Sequence, residues 1–275
     1  MASVVMVAAA GIAAAMLKGS SSQVVALPRA MASAGDSITR AFDIDGHHFL
    51  QDSPEESWSS GSDPAVGSHF QRIRTANPAI DGHVHSDARS GATMATLDGQ
   101  LALASAQRVE YVTILMGAND LCAPSVAAMT PTATFEAQFD HALSNFLASD
   151  PGAHVFVSSV PDLYRLWDTL RTNPIAQIAW ALGHICPSML SATATAADRQ
   201  QVVAQEQADN AALASVCRRH DHCRFDDNAV FRVRFSAADV SSMDYFHPSL
   251  SGQQTLAAVS WAAGYWPSTP PVKRG

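Results

Sequence analysis

The sequence predicts a single three-layer α/β/α domain built on about five parallel strands. Three observations carry this. Short apolar runs rich in β-branched residues alternate with segments of helical periodicity. The intervening helices are long enough for right-handed crossovers, which make neighbouring strands parallel and cover both faces of the sheet. Finally, the 275 residues contain no internal repeat, no low-complexity block and no second apolar core.

Taken in order, residues 24–34 read as the first strand, ending in Gly35-Asp36-Ser37, with Ser37 opening a helix. Residues 57–76 contain a helix starting near Asp63 and stopped by Asn77-Pro78. A second, weaker strand covers 80–85. Residues 92–107 form a helix with Met94, Leu97 and Leu101 on one stripe. The run Glu-Tyr-Val-Thr-Ile-Leu-Met at 110–116 is the clearest buried strand. Thr130-Pro131 starts a helix in which Phe135, Phe139, Leu143, Phe146 and Leu147 follow the 3.6-residue period. A strand follows at 154–160, then a long helix at 197–219, a short strand at 224–226 and a last helix at 250–263.

Composition narrows the function. Hydrophobic residues make up 47% and charged residues 15%, which excludes a disordered chain. The formal net charge of −8 gives no general attraction to nucleic-acid phosphates, so nucleic acid is excluded as a partner. Residues 3–17 are small and apolar, too short for a membrane span of about 20 residues but suited to a secretory signal. The expected organisation is therefore a signal or N-terminal anchor with its linker at 1–23, one domain at 24–266 and a tail at 267–275. The protein is expected to act outside the cytoplasm, secreted or anchored at its N-terminus. None of the four cysteines forms a Cys-x-x-Cys pair. Their even number behind such a leader favours disulfides. Cys217 and Cys223, six apart, are expected to pair, leaving Cys122 with Cys186.

In open parallel sheets, chemistry sits beyond the carboxyl ends of the strands. Marked residues gather at those ends: Gly35-Asp36-Ser37-Ile38-Thr39, Arg89-Ser90-Gly91, Gly117-Ala118-Asn119-Asp120 and, before the last helix, Asp244-Tyr245-Phe246-His247-Pro248. A serine hydroxyl needs a base to become a nucleophile, and a histidine needs a carboxylate to fix its tautomer. Ser37, His247 and Asp244 can fill those roles. The resulting oxyanion needs preplaced donors. The backbone N–H groups of Ser37 and Gly91 and the amide of Asn119 are candidates, with Gly91 chosen because the absent Cβ lets a ligand approach. Asp36 and Asp120 are read as carboxylates bonded to turn backbone near Ser37 and Asn119.

These four blocks, in this order, resemble the GDSL, or SGNH, hydrolases, whose initials match Ser37, Gly91, Asn119 and His247 over residues 30–263. The resemblance implies a flavodoxin-like sheet, a catalytic Ser37-Asp244-His247 triad and an oxyanion hole from Ser37, Gly91 and Asn119. Ile38 stands where the family name has Leu. Ser57-Trp58-Ser59 and the block at 117–122 look like the phospholipase B-like branch. The Gly-x-Ser-x-Gly elbow of α/β-hydrolases is absent.

The expected activity is hydrolysis of carboxylic esters, of lipid or another acyl ester, through an acyl-serine intermediate. A carbohydrate deacetylase or small-acyl arylesterase of the same fold is the alternative, and a non-catalytic binding module the alternative outside enzymes. No cofactor and no obligate protein partner are expected, and the protein is read as a monomer. The pairs His47-His48, His83-x-His85 and His220-x-His222-Cys223 lack a full ligand set, so no metal is assigned. Residues 163–185, with Tyr164, Leu166, Trp167, Ile175, Ile178, Trp180 and Leu182, form either an acyl-site wall, a lid or plain core. Residues 43–62 read as a rim loop, where Trp58 either stacks on substrate or anchors the loop.

Overall fold

A computed structural model describes residues 25–44 and 49–267. The signal or anchor expected at 1–23, His47-His48 and most of the expected tail lie outside the described residues. Five strands form one sheet: β1 Met31–Gly35, β2 Val84–Ser86, β3 Tyr111–Leu115, β4 His154–Val157 and β5 Cys223–Phe225. They pair in the order β2-β1-β3-β4-β5, all parallel. This is the flavodoxin-like order, whose direction reverses between β1 and β3. The helices are α1 His69–Ala76, α2 Leu97–Ala106, α3 Ala118–Leu121, α4 Thr132–Ser149, α5 Leu163–Leu170, α6 Pro174–Gly183, α7 Pro187–Leu190, α8 Ala196–Cys217 and α9 Leu250–Ala263.

Strand alternation divides the core between the two faces of the sheet. Ala32, Ala34, Val112, Ile114, Val155 and Val157 face α2, α4 and α8, together with Phe135, Phe139, Leu143 and Phe146 of α4. Burying each of these phenylalanines contributes about 1.5–3 kcal/mol. Met31, Tyr111, Leu115 and Phe156 point to the other face, towards Phe70, Ile73, Leu256 and Trp261 of α1 and α9. That second face also carries a polar seam. Ser33 shares a hydrogen bond of 2.9 Å with Ser60, and Ser59 bonds Thr113. His69 sits between the Tyr111 hydroxyl (2.9 Å) and Ser260 Oγ (2.8 Å).

Several elements differ from the sequence reading. The first strand begins at Met31 rather than Val24, and the helix of the second segment begins at His69 rather than near Asp63. The cause of the later start is Ser68, which forms a capping box with Gln71. Segment 92–107 splits into a 3₁₀ turn at Met94–Thr96 and then α2. Ser37 does not open a helix. It lies in a run of turns in which Arg40 N donates to Asp36 O and Phe42 N to Ser37 O. Ala41 and Asp43 take positive φ (48° and 50°), which a helix cannot accommodate. Trp58 does not reach the surface. It is fully buried, its indole donating to Thr39 Oγ1 (3.3 Å), and so it anchors its loop instead of stacking on a ligand.

Two disulfides tie the chain, Cys122–Cys186 and Cys217–Cys223. They fit an extracytoplasmic protein. Among the described residues no helix is long and apolar enough to cross a membrane.

Candidate active site

Ser37 follows β1 and Asn119 lies in α3 just after β3, so both stand at the carboxyl edge where the strand order reverses. His247 arrives from the loop before α9. Its Nε2 lies 2.7 Å from Ser37 Oγ, and its Nδ1 bonds Asp244 Oδ2. Asp244 is itself fixed, because its Oδ1 accepts from the backbone N–H of Phe246 (2.9 Å) and of His247 (3.0 Å). Tyr245 makes this tight loop possible by taking φ 59°. With Nδ1–H donating to the carboxylate, Nε2 is left to accept the serine proton. A hydroxyl, an imidazole and a carboxylate in line is the arrangement that nucleophile-and-base chemistry requires. The rings of Phe42 and Phe246 each lie 5.0 Å from the imidazole and restrict its rotation.

The cleft above Ser37 has a volume of about 260 Å³ and includes Gly91, Asn119 and His247 in its lining. Asn119 Nδ2 donates one proton to Ala92 O (2.9 Å), which orients the amide and leaves its second proton free to donate. Gly91 lines the same cleft. A Cβ there would meet no protein atom within 4 Å, so the protein's own packing does not demand glycine. Its φ of +78° is a backbone conformation that favours glycine. Asp120, expected to bond turn backbone near Asn119, bonds the start of the 3₁₀ turn at Met94–Thr96. Its Oδ2 accepts from Met94 N (2.9 Å), tying the Gly91 segment to the Asn119 segment. Asp36 does bond its own turn, accepting from Ile38 N (2.9 Å), and complete burial pushes its carboxyl up to about 7.

Comparison with known proteins identifies the family. The model of the GDSL-like Lipase/Acylhydrolase family matches residues 33–255. The chain belongs to that family. Membership supports carboxylic-ester hydrolysis. Among solved structures, an extracellular lipase from Streptomyces rimosus is similar in fold, with a TM-score of 0.51, 16% identity and 85% of this chain covering 99% of that one. Phospholipase A1 from Streptomyces albidoflavus gives 0.51, 16%, 88% and 99% in the same terms. A mutant of Axe2, an acetyl-xylooligosaccharide esterase from a Geobacillus, gives 0.50, 15%, 85% and 92%. No match is found among curated proteins.

Within this GDSL-like hydrolase, two glutamines missed by the sequence reading hold the segment around Ser37. Gln100 of α2 clamps Gly35, accepting from its N–H (2.7 Å) and donating to its carbonyl (3.0 Å). Gln253 of α9 donates to Ile38 O (2.8 Å) and accepts from Trp58 N (2.9 Å). The available signal was an uncharged polar side chain on an otherwise apolar helix stripe. Gly117 caps the start of α3. At φ +134° it brings the chain so near Val160 that a Cβ would lie 2.8 Å from that side chain.

A second cavity, of about 50 Å³, lies beside the cleft and shares Phe246 with it. Ile38, Ala118, Leu163, Leu166 and Phe235 make it apolar. The segment at 163–185 is thus divided: Leu163 and Leu166 face this cavity, Leu170 and Trp180 are core, and Ile175, Ile178 and Leu182 are exposed. Among the described residues no group of three or more His, Cys, Asp or Glu could hold a metal ion.

Proposed function

We propose that the protein hydrolyses acyl esters of lipids through an acyl-Ser37 intermediate. His247 Nε2 takes the Ser37 proton as Oγ adds to the ester carbonyl. The backbone N–H groups of Ser37 and Gly91 and the free Asn119 amide proton stabilise the oxyanion. His247 then hands its proton to the departing alcohol. In the second half it takes a proton from water, whose oxygen adds to the acyl carbon, and returning that proton to Ser37 releases the acid. Asp244 keeps the imidazole in the required tautomer and stabilises its cation.

The observation that carries this reading is the 2.7 Å contact between Ser37 Oγ and His247 Nε2, backed by Asp244 and open to the cleft. The apolar cavity walled by Ile38 and Phe246 supports an acyl chain over a bare acetyl group, since it offers methylene contacts and few polar ones. The two disulfides support action outside the cytoplasm.

Two measurements test it. A fluorophosphonate probe is expected to label the wild-type protein and not Ser37→Ala. Chromogenic esters of rising acyl length are expected to react faster as the chain grows beyond acetyl. An unlabelled wild type overturns the acyl-serine step. A maximum at acetyl overturns the lipid assignment and favours a deacetylase of the same fold.

A further inference from the structure

The solvent side of α6 runs against the usual pattern of surface helices. Its sequence, Pro-Ile-Ala-Gln-Ile-Ala-Trp-Ala-Leu-Gly, contains no charged residue. Ala176 and Trp180 turn inward, and Trp180 Nε1 donates to Tyr245 O (3.0 Å), which fixes the helix against the Asp244–His247 loop. The opposite side, where polar residues belong, carries Ile175, Ile178 and Leu182. They are 60%, 58% and 80% exposed. At 100° per residue these three fall within one 60° stripe. The helix then runs directly into His184, Ile185 and Cys186, which line the cleft over Ser37. Disulfide Cys122–Cys186 holds that junction to the end of α3, so the stripe keeps a fixed position relative to Asn119. A further exposed apolar pair, Phe49 and Leu50, is tied by Leu50 N to Asp43, which follows the cleft residue Phe42 in the chain.

We propose that the α6 stripe, with Phe49 and Leu50, docks the enzyme on the surface of a lipid aggregate and so brings the cleft to membrane-borne esters. The assignment of a lipid surface rests in part on the ester-hydrolase reading, which supplies the reason for such a surface at the rim. One further observation favours a lipid occupant, and a second selects the probe. Three side chains on one helix fall far short of the roughly 20–30 residues a side used by a stable protein interface, whereas they suffice to insert below lipid headgroups. The net charge of −8 offers no attraction to anionic lipid, so apolar insertion has to supply the affinity and zwitterionic vesicles are the appropriate probe.

The test separates docking from turnover. Full-length Ser37→Ala protein is mixed with sedimentable dioleoylphosphatidylcholine vesicles, with and without Ile175→Ser, Ile178→Ser and Leu182→Ser combined. The parent is expected to pellet with the vesicles at low and high salt alike, and the triple substitution to weaken partitioning by about a hundredfold. On the Ser37 background, the triple substitution is expected to leave kcat/KM for a soluble short-chain ester unchanged and to slow hydrolysis of a vesicle-borne ester. A parent that stays in the supernatant overturns the proposal, as does partitioning that ignores the three substitutions. A lipid-free dimer that becomes monomeric with the substitutions also overturns it, because the stripe would then belong to a second copy. If Ser37→Ala retained turnover, the ester-hydrolase reading would fail while the vesicle measurement still stood.

Discussion

Two buried histidines among the described residues each share a hydrogen bond with a serine, yet only one has the surroundings that the proposed chemistry needs. His247 Nε2 is 2.7 Å from Ser37 Oγ, and His69 Nε2 is 2.8 Å from Ser260 Oγ. The difference lies in the second nitrogen and in access. His247 Nδ1 meets the Asp244 carboxylate, and its ring borders a cleft. His69 Nδ1 meets the neutral Tyr111 hydroxyl, and the ring is packed among Trp58, Phe156 and Trp261. Burial drives the His69 pKa down to about 3, so it remains an uncharged pin between α1, β3 and α9. A serine beside a histidine is therefore no indicator of catalysis without an anion to steady the cation and a path for substrate.

The sharpest way to break this contrast is to remove each hydroxyl. Ser37→Ala is expected to lower kcat on a chromogenic ester by about 10⁴-fold or more, with the melting temperature almost unchanged. Ser260→Ala is expected to leave kcat near wild type and cost about 1 kcal/mol in urea unfolding. Equal losses of activity in the two variants would falsify the distinction. Next in size, Asp244→Asn removes the feature His69 lacks. The expected drop in kcat is about 10²–10⁴-fold, because the amide can favour the wrong tautomer. Asn119→Ala takes away one proposed oxyanion donor, and kcat is expected to fall about 10²-fold with KM little changed. A change confined to KM would place Asn119 in ground-state binding instead.

The smallest effect concerns acid stability. Unfolded His69 takes up its proton below its ordinary value of about 6.5, whereas the folded form resists until about 3. Its contribution to stability is thus present above about 6.5 and lost as pH falls towards 3. Asp36 acts with the opposite sign. Its folded carboxyl holds a proton up to about 7, so its contribution is present below about 3.8 and lost as pH rises through 7. The two overlap, so the measurement is the difference between wild type and His69→Gln in urea midpoint across pH 3–7. That difference is expected to shrink steadily towards acid. A constant difference would show that His69 titrates normally.

Much of this arrangement was legible in the sequence, for reasons that vary by residue. The strand at 111–115 announces itself because Val112, Ile114 and Leu115 satisfy both propensity and burial. The helix at 250–263 has a clear Ser249 cap and an apolar stripe. Ser37 and Asn119 stand out as polar groups at strand ends, and Asp244 and His247 as an acid and a base three residues apart in one loop. What stayed hidden is long-range. The turns after Ser37 depend on Ala41 and Asp43 accepting positive φ, with no glycine to mark them. The Gln100 and Gln253 clamps join residues 65 and 215 positions apart, and no local pattern encodes such partners. Trp58 and His69 are polar-tipped aromatics whose burial is decided by the seam around them.

Because all five strands run the same way, the molecule has a working end and an idle end. Pro28, Arg108, Glu110, Pro151 and Gly152 gather at the other end, around an open cavity of about 490 Å³ far from Ser37 along the strand direction. Pro151 and Gly152 are exposed there, in the connection leading into β4. A tag, fluorophore or surface-immobilisation linker grafted at that tip leaves the working end facing outward, so an immobilised enzyme keeps its whole rim available to bulky or particulate material.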